Sequence, residues 1–307
     1  MYDIAVILIN YNSSEHTIAC VESVIEKTNQ EVHYQIIITD NNSRLEDYEK
    51  LKTYLEEKKH KNLIFSRSKI NTGFGGGNMI GFEQSNAKYL LFLNNDTLLI
   101  NDCLQIMLDV FEKNSEIGIA GGQAFKENGD FMISLDHFAS PVREIFGRSF
   151  LEKINPAAYP KRKKLYDSPL KINFVPGSFM FVRAVDFKTV GGFDTNIFLY
   201  YEETDLCLRL RKINKFAYLI PQAHFIHKHG VSTEKSIAIK RELKISLFYI
   251  LRKHYNFIGF FSVWLFLSIK YFLSSIVKPK NWKIFEIVII GAPISKSLKT
   301  KQVSSIE

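Results

Sequence analysis

Ile4-Ala5-Val6-Ile7-Leu8-Ile9, followed at once by Asn10-Tyr11-Asn12-Ser13, decides how the rest of the chain is read. Six apolar residues in a row do not suit a strand with one wet face, which would alternate. They suit a strand covered on both faces, the kind found in parallel sheets. The polar exit matters as much, because open α/β sheets place ligands at the carboxyl ends of their strands. A dinucleotide-binding fold needs a glycine-rich turn at this point. None is present, so nicotinamide binding is disfavoured.

Working outward, strand and helix signals alternate. A helix is expected from Ser13 or Ser14 to about Lys27, a buried strand over residues 34–40, a charged helix over 46–59 and a short strand over 63–66. Residues 73–77 open another helix, 89–93 form a fourth strand and 102–113 a further helix. Such alternation implies a largely parallel sheet with helices on its faces. Residues 126–172 contain four prolines and the basic run 161–164, and read as a long excursion of the kind that forms lids or binding segments. Regular structure resumes over 174–182.

Charge divides the chain into residues 1–235 and a tail, 236–307. The whole carries +8, but the tail holds 12 Lys/Arg against 3 Asp/Glu, leaving 28 against 29 before it. Basic tails attract phosphates of nucleic acid or of anionic lipid, and the apolar content decides between them. Residues 257–269 are nearly all apolar, Lys270 interrupts, and 271–277 continue before Lys278, Lys280 and Lys283. An uninterrupted run of 13 residues is shorter than a spanning helix needs, and both flanks are basic. An in-plane or re-entrant membrane helix is the preferred reading, over a span or plain core packing. Nucleic-acid binding is disfavoured. Cys20, Cys103 and Cys207 are scattered and odd in number, which favours a reducing compartment, and the N-terminus has no signal-peptide pattern.

Four clusters carry candidate chemistry. Asp40-Asn41-Asn42-Ser43 ends the second strand, where a carboxylate can meet a nucleotide and where the same residues also make an ordinary turn. Asn71-Thr72-Gly73-Phe74-Gly75-Gly76-Gly77-Asn78 is glycine-dense at a helix start, suited to close backbone approach by an anion or simply to a flexible turn. Leu93-Asn94-Asn95-Asp96 ends a buried strand in one carboxylate and two amides, suited to a hard divalent cation or to a turn before the next helix. Tyr200-Tyr201-Glu202-Glu203-Thr204-Asp205 packs three acids into four positions. Clustered acids raise one another's pKa, as a general base requires, and acids at a helix start also complement its dipole. His227 and His229 could share one face of an extended segment as metal ligands.

In this order the motifs resemble glycosyltransferase family 2, inverting enzymes of the GT-A fold. Asn10-Tyr11-Asn12, Pro176-Gly177, Gly191-Gly192-Phe193-Asp194 and His227-Lys228-His229-Gly230-Val231-Ser232 complete the set. The chain looks most like the rhamnosyltransferase branch. The resemblance spans roughly Ile4 to Ser232 and implies a GT-A domain over 1–235, with the tail over 236–307 read from its own composition as helical and membrane-associating. It implies that Asn10, Asp40, Asn42, Gly73, Gly75, Asn78, Asn94 and Asn95 line a nucleotide-diphosphate sugar. Asp96 and His227 would hold Mg²⁺ or Mn²⁺; Asn94 stands where the family's Asp-X-Asp has its first acid, one carboxylate fewer. Glu203 or Glu202 would be the base, and Gly177, Asp194 and Asp205 would border the acceptor. The implied reaction moves L-rhamnose from dTDP-L-rhamnose to a glycan or lipid-linked acceptor at the cytoplasmic face of an anionic membrane. A UDP-sugar donor and a non-catalytic membrane-associated subunit are the alternatives.

Overall fold

The computed structural model describes residues 1–228 and 236–304. β1 (Tyr2–Asn10) is followed by α1 (Ser14–Lys27), β2 (Tyr34–Asp40), α2 (Leu45–Lys58), β3 (Leu63–Arg67), α3 (Gly73–Glu83) and β4 (Ala87–Asn94). β1 pairs in parallel with β2 and β4, and β3 extends β2 in parallel. The apolar run of β1 is buried on both faces. Ile4, Val6 and Leu8 join one core with Val21 of α1 and Leu51 of α2, while Ala5 and Ile7 join the opposite core with Phe92.

The second half departs from the expected parallel order. After β5 (Thr97–Leu99), α4 (Cys103–Lys113) and β6 (Ile117–Phe125), the excursion folds into α5 (Pro141–Phe146), α6 (Arg148–Ile154) and β7 (Leu170–Ile172). β8 (Phe179–Arg183) then inserts antiparallel between β4 and β6. After α7 (Ala184–Thr189) and α8 (Glu202–Lys212), β9 (Phe216–His227) runs parallel to β6 and antiparallel to β5 and β7. The result is a mixed nine-stranded sheet. The parallel crossover rule governs strands joined by a helix. β8 instead follows β7 through a short irregular link, and that rule places no constraint on its direction.

α9 (Ile237–His254), α10 (Phe257–Val277) and α11 (Trp282–Ile289) form the tail. Lys270 does not divide α10, which is continuous for 21 residues. Lysine is a good helix former, and its stem can lie along apolar neighbours while the ammonium stays in water. Leu247, Phe248 and Leu251 of α9 pack with Val263, Ile287, Ala139 of the excursion and Ile197 before α8. α9 is therefore part of the folded body, with each such side chain contributing about 2 kcal/mol of burial. The expected boundary at residue 235 lies outside the described residues.

Candidate active site

Asn10, at the end of β1, is fully buried and acts as a hub. Its amide nitrogen donates to Asp40 Oδ1 at 3.0 Å, Ser43 Oγ at 3.1 Å and Asp47 Oδ2 at 2.8 Å, and its oxygen accepts from Thr17 at 2.8 Å. Asp40 is 0% exposed, accepts from the Ser43 amide at 3.1 Å and faces Arg67 Nε at 3.3 Å. Both residues thus hold up the turn at the strand ends from beneath. Asn42 sits on that turn with a left-handed φ of 68°, and its side chain donates to the Val303 carbonyl.

The glycine cluster has a packing role that the sequence reading did not foresee. A Cβ on Gly73 (φ +75°) would stand 2.1 Å from the Phe198 carbonyl oxygen, on Gly76 2.7 Å from Thr72, and on Gly77 2.9 Å from Ile9. Gly75 packs on Phe193. Protein atoms fill the space that open phosphate-facing glycines would leave, and α3 lies close against β1. Asn78 is buried and donates to the Phe74 carbonyl. Asn41 clamps the loop, donating to Asn71 and Gly73 and accepting from Thr72.

Asp96 and His227 converge. β5 and β9 pair Thr97 with His227, which brings Asp96 Oδ1 to 3.2 Å from His227 Nε2. Asp96 is buried, and its carbonyl accepts from the Lys228 amide at 3.0 Å. One carboxylate and one imidazole suit a divalent cation that keeps its other positions for phosphate oxygens and water. Among the described residues no cluster of three His, Cys, Asp or Glu side chains completes a protein-only cage. His229 to Ser232 lie outside the described residues. Asn95 is committed elsewhere, donating to Ser13 and Thr17. Asn94 uses its backbone, its amide donating to Ser178 at 3.0 Å and its carbonyl accepting from Thr97.

That Asn94–Ser178 bond ties the Asp96 turn to the acidic pair, because Gly177 lies against Glu203. Tyr200 and Tyr201 both adopt φ of 71° immediately before α8. Consecutive left-handed residues other than glycine are costly and cluster at functional sites. Here they turn the chain so that Glu202 and Glu203 open the helix. Glu202 is buried, and burial together with the Glu203 charge raises its carboxyl well above the ordinary range. Burial also raises Glu203, but its side chain lines a cavity of about 270 Å³. Asp136, Arg143, Arg148, Tyr200 and Tyr201 share that wall. Arg148 binds Asp136 through two contacts of 2.7 and 3.0 Å. The excursion supplies Asp136, Arg143 and Arg148, and nothing in one sequence singles them out.

Asp194 and Asp205 are gathered away from Glu203, in an ion-pair cluster with α9. Lys253 Nζ lies 2.6 Å from Asp194 and 2.7 Å from Asp205, and His254 Nε2 lies 2.7 Å from Asp205. Arg209 completes the cluster at 2.7 Å. Burial opposes the Asp205 charge, yet His254, Arg209 and Lys253 outweigh it and hold the pKa at about 2.

The mixed sheet with helices on its faces is a GT-A fold. The family model for "Glycosyl transferase family 2" matches residues 5–190, and the chain belongs to that family. The rhamnosyltransferase WbbL of Escherichia coli K12 is 29% identical over 243 residues, covering 76% of this chain and 88% of the relative. An N-acetylglucosaminyl-diphospho-decaprenol L-rhamnosyltransferase of Mycobacterium tuberculosis is 33% identical over 78 residues, a quarter of each chain. The mannosyltransferase PcManGT of Pyrobaculum calidifontis, solved with GDP-Man and Mn²⁺, superposes with a TM-score of 0.58 at 10% identity, covering 96% of this chain and 89% of that one. The protein is thus a glycosyltransferase with rhamnosyltransferases among its relatives.

Proposed function

We propose that this enzyme transfers L-rhamnose from dTDP-L-rhamnose, with inversion, to a hydroxyl of a lipid-linked glycan at the cytoplasmic membrane face. The observation that carries the chemistry is Glu203, a raised-pKa carboxyl lining a cavity whose wall connects through Gly177, Ser178 and Asn94 to Asp96. The names of the Escherichia coli and Mycobacterium relatives support rhamnose and a lipid-diphosphate acceptor.

Glu203 takes the proton of the acceptor hydroxyl as its oxygen bonds to the anomeric carbon. The bond from that carbon to the diphosphate oxygen breaks, nucleoside diphosphate leaves, and Glu203 ends protonated. A single displacement inverts the centre without an enzyme nucleophile. Asp96 and His227 would hold Mg²⁺ or Mn²⁺, which when bound supplies Lewis-acid neutralisation of charge on the leaving diphosphate.

A donor screen across dTDP- and UDP-sugars with either cation, read as nucleoside diphosphate release, tests the reading. Preference for dTDP-L-rhamnose is expected. Preference for a UDP-sugar overturns the donor assignment, and no cation-dependent release from any donor overturns catalysis.

A further inference from the structure

The hairpin formed by α5 and α6 has two unlike faces. Arg143 and Arg148 turn inward and line the cavity beside Glu203. Phe146 and Phe150 turn outward, 61% and 40% exposed, with rings stacked at 5.0 Å, and Val142 and Ile154 are exposed beside them. Two stacked phenylalanines in water contribute nothing to the core they have left.

The hairpin also abuts the tail. α5 packs on α10, and Pro141 Cγ stands 3.0 Å from where a Cβ on Gly259 would be. α10 is the most apolar helix of the described residues, long and apolar enough to cross a membrane by length and composition, yet only 22% of its most apolar window is buried. Phe257 and Ile258, which precede Gly259, are 75% and 77% exposed, and Phe261, Leu265, Ile269, Leu273 and Ile276 continue the uncovered surface. Soluble monomers rarely carry an apolar patch this extended unless it has a partner.

Charge identifies the partner. Residues 257–283 contain Lys270, Lys278, Lys280 and Lys283 and no Asp or Glu. An apolar helix whose own charges are all lysine fits an anionic lipid surface, where acyl chains receive the rings and headgroups the ammonium groups.

We infer that the α5–α6 hairpin and α10 form one membrane-docking face, with Phe146 and Phe150 seated in the lipid and the Glu203 cavity held at the bilayer surface by the same hairpin. This rests on the proposed membrane-bound acceptor and adds a second contact, drawn from the catalytic domain itself. It also gives a reason for the hairpin's two faces. Anchoring its outer side fixes its inner side, so an acceptor hydroxyl need not leave the interface to reach the base.

The test uses the full chain with Phe146→Ser/Phe150→Ser and, separately, Phe257→Ser/Ile258→Ser. Both pairs are exposed, and unchanged Tm confirms folding. Each is sedimented with phosphatidylglycerol-rich vesicles and with pure phosphatidylcholine vesicles. The hairpin variant is expected to lose about tenfold in partitioning to the anionic vesicles, equivalent to about 1.4 kcal/mol. Loss in the Phe257/Ile258 variant alone overturns the hairpin contact and leaves the tail as sole anchor. No binding by the unaltered protein overturns membrane docking altogether, while nucleotide release in the donor screen would still stand. A concentration-dependent dimer, dissociated by the hairpin substitutions in the absence of lipid, would instead assign the face to a second copy of the chain.

Discussion

His227 Nε2 lies 3.2 Å from Asp96 Oδ1, a contact made because β5 and β9 pair Thr97 with His227. Neither residue is decisive by itself. Together, at the edge of the Asn94–Asp96 turn, they offer a hard cation a carboxylate and an imidazole with room for phosphate oxygens. Asp96→Ala is expected to abolish cation-dependent nucleotide release. His227→Ala should raise the Mn²⁺ concentration for half-maximal release by about tenfold or more, the loss of about 1.4 kcal/mol for one ligand. Calorimetric Mn²⁺ titration with nucleoside diphosphate present checks both, and an unchanged Mn²⁺ response in His227→Ala would exclude it as a ligand.

The acidic pair divides its labour by exposure. Glu202 is buried, and burial with the Glu203 charge raises its carboxyl strongly, while Glu203 faces the cavity. Glu203→Gln should lower kcat by about 10²–10⁴ with donor affinity kept. Glu202→Gln keeps the shape of a side chain that does not face the cavity and should retain turnover within about tenfold. The reverse pattern in steady-state kinetics would exchange the two roles.

Because burial raises Glu203, the acid limb of kcat should lie above the ordinary glutamate range. Below that limb the carboxyl is protonated and cannot accept the acceptor's proton. A pH–rate profile with saturating substrates locates it, and a limb at the ordinary value would show the base is not Glu203.

Asp205 links α8, which carries the acids, to α9. Its folded pKa of about 2 is below the ordinary 3.8, so the stabilisation is complete above the ordinary value. It is lost as pH falls through about 2, and amounts to roughly 2 kcal/mol. Asp205→Asn leaves Lys253, His254 and Arg209 without their shared carboxylate and should cost about 3 kcal/mol at neutral pH. Denaturant unfolding at pH 7 and pH 3 measures both, with a smaller difference between the proteins at the lower pH.

Gly73 is held by the approach of the Phe198 carbonyl and by its φ of +75°. Gly73→Ala should destabilise the fold by about 2–3 kcal/mol, since the left-handed conformation and the clash act together. A Tm equal to that of the unaltered protein would contradict the packing role.

Much of this was legible in residue order. The apolar run from Ile4 to Ile9 announced a strand buried on both faces, because alternating contacts to two cores require apolar residues at every position. The parallel half-sheet, its helices, and the candidacy of Asp96, His227, Glu202 and Glu203 followed from local pattern and motif order. Local pattern cannot report contacts between distant segments, and that is where the tertiary structure decided. It set β8 antiparallel, since the link from β7 contains no crossover helix to fix a direction. It carried α10 through Lys270, since one lysine does not break a helix. It set Gly77 of α3 against Ile9 of β1 and Gly73 against the Phe198 carbonyl, a matter of which atoms stand opposite. Asp205 could pass for a site acid in sequence because two of its partners, Lys253 and His254, come from α9. Only the packing of that helix shows that its charge is already neutralised.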